Sequence, residues 1–249
     1  MTWSLIARDT DGSIGLIVAS KFFACGAVVP YVGESVAVAS QAFCNPLWGT
    51  EGRARLAAGE PAAIVMASLV ARDSGARQRQ AHMMDKQGRF ATYTGTECVD
   101  WAGHQVADDH SLAGNMLTGP DVLQATSRAF IAGRDLPFAA RLISAMQAGE
   151  AAGGDKRGRQ AAGLVIHRGE DHAWLDLRAD DDADPLAELE RLWDVAQERY
   201  VPFTRGMGTA AAFSGKPQRD EIDAAIATEQ ARRTAAGLPS RSHAVEAPE

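Results

Sequence analysis

The chain has 249 residues, of which 46% are hydrophobic, 23% charged and 6% aromatic; this suits a globular domain and excludes pervasive disorder or a fibrous repeat. Its 25 Lys and Arg against 32 Asp and Glu give a formal charge of −7, which argues against a surface built to hold nucleic acid. The longest strongly apolar stretches, residues 14–18 and 61–70, fall well short of the roughly 20 residues of a membrane helix, so no membrane partner is expected.

In chain order, Thr2 opens a segment that places Trp3, Leu5 and Ala7 on one face and Thr2, Ser4 and Ile6 on the other, the period of a strand. Asp11 and Gly12 then signal a hairpin into a second apolar run over residues 14–19. A third strand is expected over residues 35–41, followed by a loop in which Pro46 and Gly49 break regular structure. Residues 51–72 read as two helices split at Gly59 to Pro61, with proline suited to the first turn of the second. Residues 79–84 and 90–94 flank a turn ending in Gly88, a further hairpin.

Helices are expected over residues 121–131 and 136–146, each beginning near an Asp. A glycine-rich, charged loop covers residues 149–160, and a final hairpin covers residues 164–167 and 173–177. Asp184 and Pro185 mark the start of a closing helix to about Tyr200, with Leu186, Leu189, Leu192, Trp193 and Ala196 as its apolar stripe. That stripe suits packing on the body, and a homodimer contact is the alternative. Residues 205–249 turn polar and small and read as a partly helical or disordered appendage to a domain of residues 1–204, with a helix over residues 218–233. Strands, helices, strands, helices, strands and a helix in that order indicate an α+β fold, antiparallel sheets with helices on their outer faces.

The N-terminus carries no basic run before an apolar core, so a cytoplasmic location is expected. Cys25, Cys44 and Cys98 form no CxxC pair and the six histidines show no ligand spacing, so neither a disulfide framework, nor a metal site, nor any cofactor is signalled. No nucleotide-binding, zinc-protease or serine-hydrolase motif is present. One nucleophile needs no such motif. Met1 precedes the small residue Thr2, the usual context for methionine removal, and a threonine with a free α-amine carries its own base, since that amine has an unperturbed pKa near 8.

A two-residue Asp11–Gly12 loop would pair Thr2 with Lys21, and a longer loop would shift the partner to Ser20 or Phe22. A lysine there would lower the pKa of the amine and attract a developing alkoxide. Gln41 and Asn45 lie where amide side chains can meet a substrate, or serve only the turn. Asn115, after Gly114, can offer an amide to an oxyanion or sit in a plain turn. Asp155, Lys156, Arg157 and Arg159 are denser in charge than a tight loop requires; they suit anion binding or a solvated loop with internal pairs.

The segments around Ser4 to Asp9, Val18 to Pro30, Ser40 to Pro46, Thr94 and Gly95, Gly114 to Leu117 and Ala152 to Gln160 together resemble a bacterial family of unknown function, number 1028 in its series, over about residues 2–200. That family is assigned to the N-terminal nucleophile (Ntn) hydrolases. The resemblance implies a four-layer αββα sandwich, with Thr2 as nucleophile and base of an amidohydrolase. It differs from proteasome-type members in placing Ser20 and Lys21 where an acidic segment is found. A small anionic amide or ureido acid, ureidoacrylate-like, is the substrate class expected, with Lys21, Lys156, Arg157 and Arg159 binding its carboxylate. A catalytically silent member that binds a metabolite or joins an assembly, or a nucleophilic Cys25 or Cys44, are the competing expectations.

Overall fold

The computed structural model describes residues 2–245; Met1, on which the expected methionine removal falls, lies outside them. In chain order the elements are β1 (Thr2–Arg8), β2 (Ile14–Ser20), α1 (Cys25–Val28), β3 (Pro30–Val32), β4 (Ala37–Ala42), α2 (Pro46–Ala57), α3 (Ala62–Arg72), β5 (Arg79–Met84), β6 (Phe90–Thr94), β7 (Trp101–Val106), β8 (His110–Leu117), α4 (Asp121–Ala132), α5 (Phe138–Ala151), β9 (Ala161–His167), β10 (Leu175–Ala179), α6 (Pro185–Glu198), α7 (Tyr200–Thr204) and α8 (Asp220–Ala235).

The strands form a six-stranded sheet, β10-β9-β2-β1-β8-β7, and a four-stranded sheet, β3-β4-β5-β6, antiparallel throughout. Helices α4 and α5 pack on β8 and β2 of the larger sheet, α2 and α3 pack on β4 and β6 of the smaller, and the sheets face each other through β1 with β4 and β5 with β8. This is the α+β, four-layer sandwich expected. It buries both faces of β1 and β2, which explains their nearly continuous apolar runs. Between the sheets lie Ile6, Leu16, Val18, Val29, Ala39 and Met84; under α2 and α3 lie Val38, Trp48, Leu56, Val65 and Leu69. Each large side chain so buried contributes roughly 1.5–3 kcal/mol.

Several local expectations change. Asp9 N–H donates to Ser13 O at 2.8 Å and Gly12 N–H to Asp9 O at 3.0 Å, with Gly12 at φ 87°, so the first loop has three residues closed by a left-handed glycine. That shifts the register by one, and Trp3 pairs with Ala19, leaving Thr2 opposite Ser20 rather than Lys21. A single-turn helix, α1, and the short β3 intervene before the expected third strand, which runs over Ala37–Ala42. Pro46 and Gly49 do not break structure: Asn45 caps α2 by accepting from Leu47 N–H at 3.0 Å, Pro46 takes the first helical position, and Gly49 sits within the helix against the Tyr31 ring. β7 and β8 were not anticipated, and Asn115 lies in a strand rather than a turn. Helices α4 and α5 start after Pro120 and Pro137 with no side-chain cap; Asp121 stands in the first turn of α4, where it favours the helix N-terminus, and α5 has no acidic residue in its first turn.

Contacts divide the chain into two compact units, Met1–Leu189 and Glu190–Glu249. Within the second unit, Arg233 is buried and makes two 2.9 Å hydrogen bonds to the Asp194 carboxylate, and Ile222 and Ile226 of α8 are buried. The helix expected over residues 218–233 is α8. No helix among the described residues is long and apolar enough to cross a membrane.

Candidate active site

β1 brings Thr2 to one end of the sandwich, where it pairs with Asn115 of β8 and faces Gln41 of β4. Thr2 is 5% exposed, and its Oγ1 lies 3.2 Å from Ser20 Oγ. Its carbonyl oxygen receives Asn115 Nδ2 at 3.3 Å and Gln41 Nε2 at 3.5 Å. Of the residues singled out in the sequence, the fold therefore gathers Thr2, Ser20, Gln41 and Asn115.

Behind them lies a buried polar seam between the sheets. Gln41 Nε2 and Asn115 Nδ2 both donate to Gln80 Oε1, at 2.8 and 2.9 Å, and Gln80 Nε2 reaches Thr94 Oγ1 and the carbonyls of Gly103 and Gly114. Ser4 Oγ donates to Gln41 Oε1 at 2.6 Å and lies 2.8 Å from His82 Nε2, while His82 Nδ1 lies 3.0 Å from Ser111 Oγ. Because the single Ser4 proton goes to Gln41, the Ser4 oxygen must accept from His82, which assigns the proton to Nε2 and leaves Nδ1 to accept from Ser111. The donors thus run in one direction, Ser111 to His82 to Ser4 to Gln41 to the Thr2 carbonyl, an arrangement in which each bond polarises the next. His82 is fully buried and its pKa is pushed down to about 3, first by that burial and further by His104, so the imidazole is neutral.

Sequence reasoning missed Ser4, Gln80, His82 and Ser111 as site residues. Their signal was present in part: Gln80 and His82 are polar residues two apart that alternate with the apolar Ala81 and Met83, so they share one face, and that face is turned to the other sheet.

Both N–H groups of Asn115 are spent on Gln80 and on Thr2 itself, so the geometry makes it a support for Thr2 rather than a free oxyanion donor. Asn45 serves the loop: it caps α2 and donates to Asp73 Oδ2 at 3.0 Å. Asp155 is 4% exposed and accepts from the backbone N–H of Lys21 at 2.9 Å and of Arg157 at 2.8 Å. It thereby ties the basic loop to the end of β2. Lys156 pairs with Asp100, Arg157 with Asp155, and Arg159 with Asp184 at 2.8 Å. Lys21 differs: its Nζ donates to the Arg157 carbonyl at 2.9 Å, and among these four cations it alone forms no ion pair among the described residues. It lines an open cleft of about 380 Å³ with Arg159, Gln160, Asp181 and Asp182.

The loops that leave β2 and β4 at this end expose Phe22, Phe23 and Phe43, and the first turn of α2 exposes Leu47, each more than half exposed. Nearby, Trp3 Nε1 and Glu150 Oε2 are buried without a hydrogen-bond partner among the described residues, and burial raises the Glu150 pKa. Burial pushes the Cys25 thiol up to about 12 and also raises Cys44 and Cys98, the opposite of the lowered pKa that a nucleophilic thiol requires. No group of three metal-ligating side chains occurs among the described residues.

A hydroxyl–imidazole–carboxylate chain lies at the opposite end. Ser127 Oγ is 2.8 Å from His110 Nε2, and His110 Nδ1 is 2.7 Å from Asp109 Oδ1. Ser127 and His110 are 3% and 0% exposed, Phe130 packs against the imidazole, and Gln105 donates to the serine oxygen at 3.1 Å. The serine is closed to a substrate, and the chain joins α4 to β8.

The model of the family of unknown function DUF1028 matches residues 2–189. Among solved structures, protein SPO2555 from Silicibacter pomeroyi, which carries the same family model, is similar at 30% identity and a TM-score of 0.80, with 86% of this chain and 94% of that chain covered. No curated protein matches the sequence. Since the match takes in both sheets and the whole of the Thr2 end, the chain belongs to the family of unknown function DUF1028.

Proposed function

We propose that the chain is an N-terminal nucleophile hydrolase that cleaves the C–N bond of a small anionic amide or ureido acid, with Thr2 as nucleophile. The observation that carries this reading is the clamping of Thr2: the first strand residue has its hydroxyl on Ser20 and its carbonyl held by two amides that are themselves fixed by Gln80. A residue that must attack a carbonyl gains from such pre-organisation, because correct orientation alone can lower a barrier by several kcal/mol, up to roughly 10.

With Met1 removed, the Thr2 hydroxyl passes its proton to its own α-amine as Oγ1 bonds to the substrate carbonyl carbon. Collapse of the tetrahedral intermediate breaks the C–N bond, and the ammonium returns the proton to the leaving amine. Water, deprotonated by the same amine, then attacks the threonine ester and releases the acid with the free hydroxyl restored. Ser20 is the neighbour that orients Oγ1, and Gln41 and Asn115 fix the backbone of Thr2. Lys21, which forms no ion pair among the described residues, supports an anionic substrate, and the exposed phenylalanines at the same end would cover an apolar part of it.

A second reading is favoured by the burial of Thr2 and by the carboxylate partners of Lys156, Arg157 and Arg159: a silent member of the fold that binds a metabolite. Intact-mass measurement joined to turnover of an amide and ureido-acid panel separates the two. Hydrolysis by a chain that begins at Thr2, abolished in Thr2→Ala and retained in part by Thr2→Ser, is the expected result. Retention of Met1 in every molecule removes the base and the proposal with it.

A further inference from the structure

At the end of the sandwich away from Thr2, the turns after β1, β5 and β7 and the segment from Arg134 to Arg141 surround an open cleft of about 460 Å³. The length of β1 separates it from Thr2 by about 20 Å, at the usual rise of a strand. Its volume lies within the roughly 300–1,000 Å³ of small-molecule sites.

The floor is Arg141, a residue 4% exposed. Nε donates to the Phe130 carbonyl at 2.7 Å, and the charged carbon lies 3.6 Å from the centre of the Phe130 ring. Its terminal nitrogens are less well served: NH1 is 3.6 Å from Asp9 and NH2 3.5 Å from Asp109, both well beyond the roughly 2.7–2.9 Å of a strong charge-assisted bond. A nearly buried cation with unspent N–H groups is costly unless another acceptor reaches it. Two more arginines stand on the rim, Arg8 and Arg134, both exposed and neither in an ion pair among the described residues. Asp108 is equally unpaired on the same rim, and Phe90 supplies an apolar wall.

We propose that this cleft binds a free α-amino acid, with the carboxylate on Arg141, Arg8 and Arg134, the ammonium toward Asp108, and the side chain along Phe90. Three guanidinium groups provide the planar forks that a carboxylate accepts. Asp9, Asp108 and Asp109 oppose a second negative charge, which disfavours phosphate and dicarboxylates, and they attract a positive one. The site does not depend on the chemistry assigned to Thr2.

Calorimetric titration of the full chain with proteinogenic amino acids tests this, with 3-phenylpropionate, phenethylamine and succinate as comparison probes. Binding of at least one amino acid with a Kd of about 1 mM or tighter is expected. For L-phenylalanine, loss of either charged end should weaken binding at least about tenfold, as should the double variant Arg8→Ala with Arg134→Ala. Asp108→Asn should weaken L-phenylalanine but not 3-phenylpropionate. The three substituted side chains are exposed, so the fold is not at stake. Failure of every amino acid to bind, equal binding by the double variant, or tighter binding of succinate each overturns the proposal.

Discussion

One side-chain amide, that of Gln80, accepts from both Gln41 and Asn115 while its nitrogen reaches Thr94 and the carbonyls of Gly103 and Gly114. Gln80→Leu keeps the approximate volume but leaves two buried amide donors without their acceptor and the buried Gly114 and part-buried Gly103 carbonyls without this donor. Each group so stranded costs about 1–3 kcal/mol, and partial rearrangement brings the expected net loss to about 2–4 kcal/mol. Denaturant unfolding measures it, with the exposed Gln87→Leu as the reference that should stay within about 0.5 kcal/mol. A loss as small as the reference would mean that the clamp on Thr2 is not held by Gln80. The half of this site that could be read from the sequence comprises the residues tied to local signals: Thr2 and Ser20 through the hairpin, Gln41 at a strand end, and Asn115 beside a glycine. Gln80, His82, Ser4 and Ser111 escaped because they meet only when two separate sheets are stacked, and no local pattern encodes which strand faces which. The charges misled for a related reason. Lys156 and Arg159 suit an anion site until Asp100 and Asp184 are brought onto them by the fold, whereas the Arg157–Asp155 pair is the internal loop pair that the sequence offered as the alternative.

Among the elements, α1 rests on β9 at a point where two backbones touch. A Cβ added at Gly163 would stand 2.5 Å from the Gly26 Cα, and one added at Gly26 would stand 2.9 Å from the Gly163 Cα. Neither obstacle is a flexible side-chain end, so the helix must move as a unit. Gly163→Ala is expected to cost about 2–3 kcal/mol, as overpacking of a rigid core does. Gly119→Ala, which meets nothing within 4 Å, should be close to neutral. A lowered denaturation midpoint at unchanged slope for Gly163→Ala alone bears this out, and equal midpoints for the two variants contradict it. Elements with turn chemistry at their ends were legible in advance: the β1–β2 and β5–β6 hairpins, the split between α2 and α3, and the Asp184–Pro185 start of α6. The four-residue α1 and the strands β7 and β8 were not. The helix is too short to show a period, and Gly103, Ala113 and Gly114 dilute the alternation that marks a strand.

For the Met1–Leu189 unit as a whole, the joint between the sheets is apolar at Ile6, Val18 and Met84 but polar around His82, and this makes its stability depend on pH. His82 has a folded-state pKa of about 3 against an ordinary value of 6.5, so below 6.5 the unfolded chain binds a proton that the folded chain refuses. Stability is therefore full above about pH 6.5 and falls as the pH is lowered toward 3, by up to about 1.4 kcal/mol per pH unit. Burial likewise depresses His104 and His167, which adds to the slope in the same direction. The depressed carboxylates act lower. Asp73, held down to about 2 first by the Asn45 amide and then by the Gly75 N–H and Arg79, loses its contribution only as the pH falls below its ordinary value of 3.8. In the interval from about pH 6.5 to 4.5 the histidines act against Glu150 and Asp176, whose pKa values burial raises, but those carboxylates are common to the parent and a His82 variant and cancel in the comparison. His82→Gln retains a donor and an acceptor for Ser4 and Ser111 but cannot titrate. Across that interval the parent protein should lose about 2 kcal/mol more than the variant, read from urea midpoints at each pH. Equal slopes would mean that the folded chain accepts the proton at His82 and that water or a rearranged Ser4 reaches the imbedded ring, which would dissolve the one-way chain of donors that ends on Thr2.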